Sequence, residues 1–241
     1  MKKLYLKKLI KESVVLSERG GGQSPGKLEV VSTDVSTARN YAKSLGINLQ
    51  TDLPNFSFNY RVAQKLASLG KTKRRDMPVI TSSDLKQFQQ RLSKGHIDIH
   101  KPFAPSTDPS DPFPDGLSGT EAEEFLKRGH KDGDKTDDTV DMGTKKVAVK
   151  YLKPIQQQIY FDKSIKTIAD NGIKGSTQFL QRTFFIASAD NYIIDGHHRF
   201  LSALLLDPNM KVNVLAINLP IKQLLPLTIA YSDAIGNKRN A

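Results

Sequence analysis

Five consecutive residues, Asp195-Gly-His-His-Arg199, carry the strongest chemical signal in the sequence. They stand between the apolar runs Tyr192-Ile-Ile and Phe200 to Leu206, an order that reads as strand, glycine, helix. Gly196 allows close backbone approach, and a helix starting there exposes free N–H groups and the positive end of its dipole. His197, His198 and Arg199 add donors at the same place, which suits phosphate or another anion. Asp195 is the one acid of the group. It could orient a histidine, accept a proton, or ligate a phosphate-bound magnesium ion. Asp195, His197 and His198 are therefore the catalytic candidates. Gly196, His198 and Arg199 are the phosphate- or nucleotide-binding candidates, joined by Lys153 from upstream, and Asp195 is the candidate Mg2+ ligand. The alternative is that the histidines and the aspartate only cap the helix and satisfy one another.

A second candidate is Lys71-Thr-Lys-Arg-Arg75, the densest positive cluster of the chain. Lys71, Lys73, Arg74 and Arg75 lie between two expected helices, a spacing that suits contact with a nucleic-acid backbone. A solvated loop explains the cluster equally well. Three other patterns fail. Gly21 to Lys27 follows a phosphate-loop pattern, but Leu28 replaces the metal-binding hydroxyl, so Gly20–Lys27 reads as a hinge. Asp132 to Asp141 lacks the sixth-position glycine and twelfth-position glutamate of a calcium loop, having Asp137 and Gly143 there. It reads as an acidic linker. His96 and His100 are spaced for a helical metal pair, yet the alternation of Ile97 and Ile99 between them argues for a strand.

The elements that must position these residues fall into three stretches of unlike charge. Of the net +11, residues 1–104 hold +11, residues 105–141 hold −7 and residues 142–241 hold +7. The first, 1–104, reads as a basic, mainly helical region. Met1–Val15 is a basic amphipathic helix; residues 34–46 and 57–70 are helices closed by Gly46 and Gly70, with Asp34 and Ser57 as N-caps; a further helix starts at Ser83 or Asp84 and ends at Gly95. Residues 105–144 are a linker rich in proline and aspartate, interrupted by a short helix over 120–128 with a Thr120/Glu123 capping box. In the third, 145–241, strands are expected over 145–152, 184–188, 192–194 and 212–219. Helices are expected over 162–171, ending at Gly172, and 200–206. The closing segment 231–240 is expected to pack back near the motif. The fold class is α/β (α+β), with a small mixed sheet in the C-terminal part.

The chain has 241 residues, 38% of them hydrophobic and none of them cysteine, which excludes disulfides, thiolate metal sites and cysteine nucleophiles. No apolar run reaches the length of a membrane span, and the start lacks a signal-peptide core. A soluble, cytoplasmic protein is expected.

Tyr192 to Ala203, with its Asp-Gly-His-His-Arg core, resembles the ParB/sulfiredoxin fold. Val147–Ile159 resembles the opening strand and Leu-x-Pro turn of those domains, and Lys163–Gly172 the helix that follows. The resemblance covers about residues 145–240 and implies a small α/β domain whose motif loop binds nucleotide phosphates. It departs from each branch of the family in a specific way. The attacking cysteine of the sulfiredoxin branch is replaced by His197. The Glu-Arg pair of the cytidine-nucleotide-binding partition branch is replaced by His-His. The catalytic glutamate of the free serine kinase branch falls where Gln156-Gln157-Gln158 stand, leaving Asp162 or Asp195 as a kinase base. The layout as a whole is similar to "ParB-like nuclease domain" proteins of tailed bacteriophages. What this implies is a nucleotide- or phosphodiester-binding protein, a Mg2+-dependent nuclease or NTPase using ATP or CTP, with a basic module on nucleic acid. The alternatives are a non-catalytic phage structural or DNA-associated protein and a small-molecule kinase.

Overall fold

The computed structural model describes residues 26–100, 116–134 and 136–237. The expected helix at Met1–Val15, most of the hinge, the proline-rich run 101–115 and the last four residues lie outside these. The described chain is an α/β fold. In order its elements are α1 (Val35–Ser44), α2 (Phe56–Ala67), α3 (Ser82–Ser93), α4 (Gly119–Phe125), β1 (Met142–Ala148), β2 (Lys153–Pro154), α5 (Phe161–Arg182), β3 (Phe184–Ser188), β4 (Tyr192–Asp195), α6 (His197–Leu206), β5 (Lys211–Ile217) and α7 (Ile221–Ala234). The strands form one mixed sheet in the order β1-β5-β3-β4-β2. β1 runs antiparallel to β5 and β4 antiparallel to β3, while β5 is parallel to β3 and β2 parallel to β4.

Both faces of the sheet are covered, because successive strand residues point to opposite sides and both sets are apolar. Phe185, Ala187, Ile193, Val212 and Val214 face a core built with α1, α2, α5 and α6. Ile186, Ile194 and Ile217 face a second core built with α3, α4 and α7. Each core takes residues from the front and the rear of the chain. The boundaries at 104/105 and 144/145, drawn from charge, coincide with no change of core. The described part of the expected linker is likewise built into the second core: Leu117, Ala122, Phe125 and Val140 are buried there. Its described acidic residues are exposed except Asp138, which is fully buried, and its apolar positions are spaced too irregularly to read as an element.

Other differences have local causes. The 57–70 helix begins at Phe56, with Asn55 rather than Ser57 at its cap position. α3 is capped two to three residues earlier than expected, by a Thr81/Asp84 capping box, whereas the Thr120/Glu123 box is absent because Ser118 occupies the cap position of α4. β1 starts at Met142 and gives way to a 3-10 turn at Val149, and residues 96–100 form no strand. Gly172 does end a helical segment, at φ 65° and ψ 169°, but a second segment follows directly to Arg182. α7 was not expected, since Pro226 lies inside it; burial of Leu224, Leu227, Ala230 and Tyr231 retains the helix despite the lost N–H. Its C-terminal end packs on α3, not on the motif: Tyr231 meets Phe88, and Asn237 donates to the Val79 carbonyl and to Asp84. No helix among the described residues is long and apolar enough to cross a membrane.

Candidate functional site

The β3–β4 hairpin delivers the chain to Asp195, and α6 starts two residues later. Between them Gly196 sits at φ 106°, a left-handed conformation, against the edge of Phe185. A Cβ at Gly196 would lie 2.9 Å from that ring. No side chain caps α6, so its first-turn N–H groups and dipole are offered to whatever lies beyond Gly196.

The two histidines turn away from this opening and fasten α6 to the preceding loop. His197 is buried; its Nε2 accepts the Gln156 N–H at 3.3 Å, and its ring also bonds the Ile193 backbone. Burial, with the neighbouring His198 and Arg199 charges, pushes its pKa down to about 3. His198 Nε2 accepts the Tyr160 N–H at 3.2 Å, and its ring stacks parallel to that of Tyr160. Burial first, then the charges of Arg74 and Lys163, push His198 down to about 3 as well. Both rings are neutral acceptors near neutral pH. Both sides of the His197 ring are thus engaged by backbone groups, an arrangement that suits holding α6 to the loop.

Asp195 and Arg199 pair with each other one helical turn apart, in a close contact between Oδ2 and Nη2. Arg199 Nη1 also donates to the Phe184 carbonyl, and its guanidinium lies 5.4 Å from the Phe185 ring. Arg199 thus ties β3, β4 and α6 together, with only part of its fork left for a ligand. Asp195 remains 46% exposed in its side chain, and an exposed carboxylate of this kind could ligate a hard metal ion.

The basic cluster is carried to the same place. Lys71 and Thr72 N–H groups donate to the Ile155 carbonyl, Gln157 N–H donates to Thr72, and Arg74 N–H donates to Gln158 Oε1 at 2.7 Å. Gly70 permits this approach, because a Cβ there would lie 2.2 Å from the Gln156 carbonyl oxygen. Residues 27–30 bind the other end of this loop: Val30 N–H donates to Ile159, Phe161 N–H to Leu28, and Asp162 accepts from the Lys27 and Leu28 N–H groups. The last pair occupies the carboxylate considered as a kinase base.

Two cations then converge on Tyr160 and His198. The Arg74 guanidinium and the Lys163 ammonium each stand 5.9 Å from the centre of the Tyr160 ring. Arg74 Nε is buried with no hydrogen-bond partner. Desolvation and the Arg74 charge lower the Lys163 pKa. Neither forms an ion pair among the described residues. Two half-buried like charges beside a helix N-terminus, with one donor unsatisfied, are the electrostatic condition for holding an anion.

Of the residues singled out in the sequence, Asp195, Gly196 and Arg199 gather at the start of α6, and Arg74 stands beside Tyr160 and His198. Lys71, Lys73 and Arg75 are exposed around the rim, Arg75 in an ion pair with Asp76. Lys153 does not join them. It pairs in register with Tyr192, whose ring its ammonium covers at 4.9 Å. That is the far end of β4, roughly 10 Å of strand from Asp195. Tyr160 and Lys163 were missed. Their only sequence signal is position, at the start of the helix that follows the Leu-x-Pro turn.

Comparison with protein-family models, with curated proteins and with solved structures gives no match to this chain, so the site rests on its own geometry.

Proposed function

We propose that the chain binds a phosphate-bearing ligand, a nucleotide or a nucleic-acid phosphodiester, at the start of α6. The observation that carries this reading is the pair Arg74 and Lys163, half-buried and in no salt bridge among the described residues, with Arg74 Nε unsatisfied. The exposed Lys71, Lys73 and Arg75 extend the positive surface outward, as a polyanion would require. The ParB/sulfiredoxin resemblance of residues 145–240 supports the same reading, and so does the motif loop at a helix N-terminus.

Titration calorimetry with ATP, CTP and a short DNA duplex, each with and without magnesium, tests it. One of them is expected to bind, and Arg74→Ala is expected to weaken binding about 10- to 100-fold, the loss of one charge-assisted contact. Binding of duplex is expected to fall steeply with salt, because phosphate neutralisation releases counterions. Absence of binding by all three, or a variant that binds as the original chain does, rejects the site.

A second reading, Mg2+-dependent hydrolysis of the bound nucleotide or phosphodiester, is favoured by the exposure of Asp195 alone. It assigns Asp195 to the metal and leaves His197 and His198 as acceptors of backbone N–H groups. It predicts that Asp195→Asn keeps binding and loses turnover. Binding without turnover in the original chain selects the non-catalytic, DNA-associated reading.

A further inference from the structure

We propose that Asp132, Asp137 and Asp138 form a binding site for a hard divalent cation of the calcium class, independent of the phosphate site. One carboxylate oxygen from each lies within 4.8 Å of the others. Oxygens sharing one calcium ion at roughly 2.3–2.6 Å stand at most about 5 Å apart, so the group meets the requirement without rearrangement.

The second observation is Asp138 itself. It is 0% exposed, yet its Oδ2 is buried with no hydrogen-bond partner, while Oδ1 accepts the Ile99 N–H at 2.8 Å. Burying a carboxylate with an unused oxygen is costly unless a cation compensates it. The surroundings make the cost larger, because the carboxylates of Asp98, Asp137 and Asp132 act on Asp138 as like charges. The Asp98 carboxylate is committed to Arg128 at 3.7 Å and to the His100 N–H, and the Lys131 ammonium to Glu124. The Arg128 charge also acts on Asp138, but no salt bridge among the described residues includes Asp132, Asp137 or Asp138.

An all-oxygen donor set selects a hard ion over zinc. Magnesium demands a near-ideal octahedron and gives up water reluctantly, whereas calcium accepts irregular oxygen sets such as carboxylates of one loop, so calcium is the expected ion. The run 132–141 fails the helix–loop–helix calcium pattern in sequence, and the site arises differently. The loop folds over residues 96–100, where the Asp137 carbonyl meets His100 Nε2 at 3.4 Å and Asp138 meets Ile99. The bound ion would lock these two segments together.

The test uses the full chain stripped of metal, titrated with calcium chloride and, separately, magnesium chloride. One calcium site is expected. At about tenfold excess over its dissociation constant, calcium is expected to raise Tm by roughly 2–4 °C. Asp132→Asn and Asp137→Asn, both at exposed positions, are expected to weaken binding at least about tenfold, and Asp138→Asn to abolish it. Asparagine keeps the Ile99 acceptor and removes a buried charge, so Asp138→Asn is expected to leave Tm in chelator unchanged or higher. No heat and no Tm change in millimolar calcium overturns the proposal. So does a Tm gain that survives in Asp138→Asn, or tighter binding of magnesium than of calcium.

Discussion

At the scale of single residues, the motif does two kinds of work that its sequence does not separate. Gly196 and Asp195 stand where strand–glycine–helix reading placed them, because the period-2 run before them and the apolar helix after them leave little freedom. The histidines were legible as a cluster but not in their roles. The partner of the His197 ring is Gln156, and that of the His198 ring is Tyr160, both set by how the loop after β2 folds back. Neither histidine caps α6; both bond backbone groups of other segments instead. Within the motif, the backbone constraint falls on Gly196. Gly196→Ala must adopt φ 106° and bring a Cβ to 2.9 Å from Phe185. It is expected to cost roughly 2–4 kcal/mol in urea unfolding. Gly46→Ala, at φ 84° with nothing within 4 Å, carries only the backbone term and is expected to cost about 1 kcal/mol. Equal costs would remove the Phe185 contact as the reason for glycine at the motif.

At the scale of elements, periodicity and caps located most helices, including α1 with Asp34 accepting the Thr37 N–H at its cap. They did not locate α7, whose Pro226 argues locally against a helix that only tertiary burial retains. Nor could they show that 70–74 lies along 155–158, since that pairing joins segments far apart in sequence with no alternation in either. The pairing nevertheless brings the basic cluster to the motif. Gly70→Ala, whose Cβ would meet the Gln156 carbonyl at 2.2 Å, is expected to separate the two segments. Amide exchange at Thr72 and Gln157 should accelerate by at least about tenfold while the amides of β5 keep their protection, since local opening spares the rest of the sheet. Unchanged exchange at Thr72 would show that the segments adapt without parting.

At the scale of the whole molecule, the charge segregation seen in the sequence does not mark separate bodies. The front of the chain wraps the loop 155–161 from two sides, through 27–30 and 70–74, and the motif histidines hold that loop from within. Front and rear are thus joined partly by two acceptors that must stay neutral, which makes the assembly sensitive to acid. Both histidines have folded-state pKa values near 3 against an ordinary 6.5. Between those limits the unfolded chain binds more protons than the folded one, so stability is full above pH 6.5 and falls as the pH drops through the window. At about pH 5 each histidine is expected to have removed roughly 2 kcal/mol, and the pair about 4 kcal/mol, from the unfolding free energy. Urea unfolding at neutral pH and at about pH 5 measures the difference. His197→Gln cannot titrate, so it is expected to lose about half of the pH dependence even if its stability at neutral pH is lower. A variant that keeps the full acid sensitivity would mean that other groups, not the histidines holding the loop, set the response.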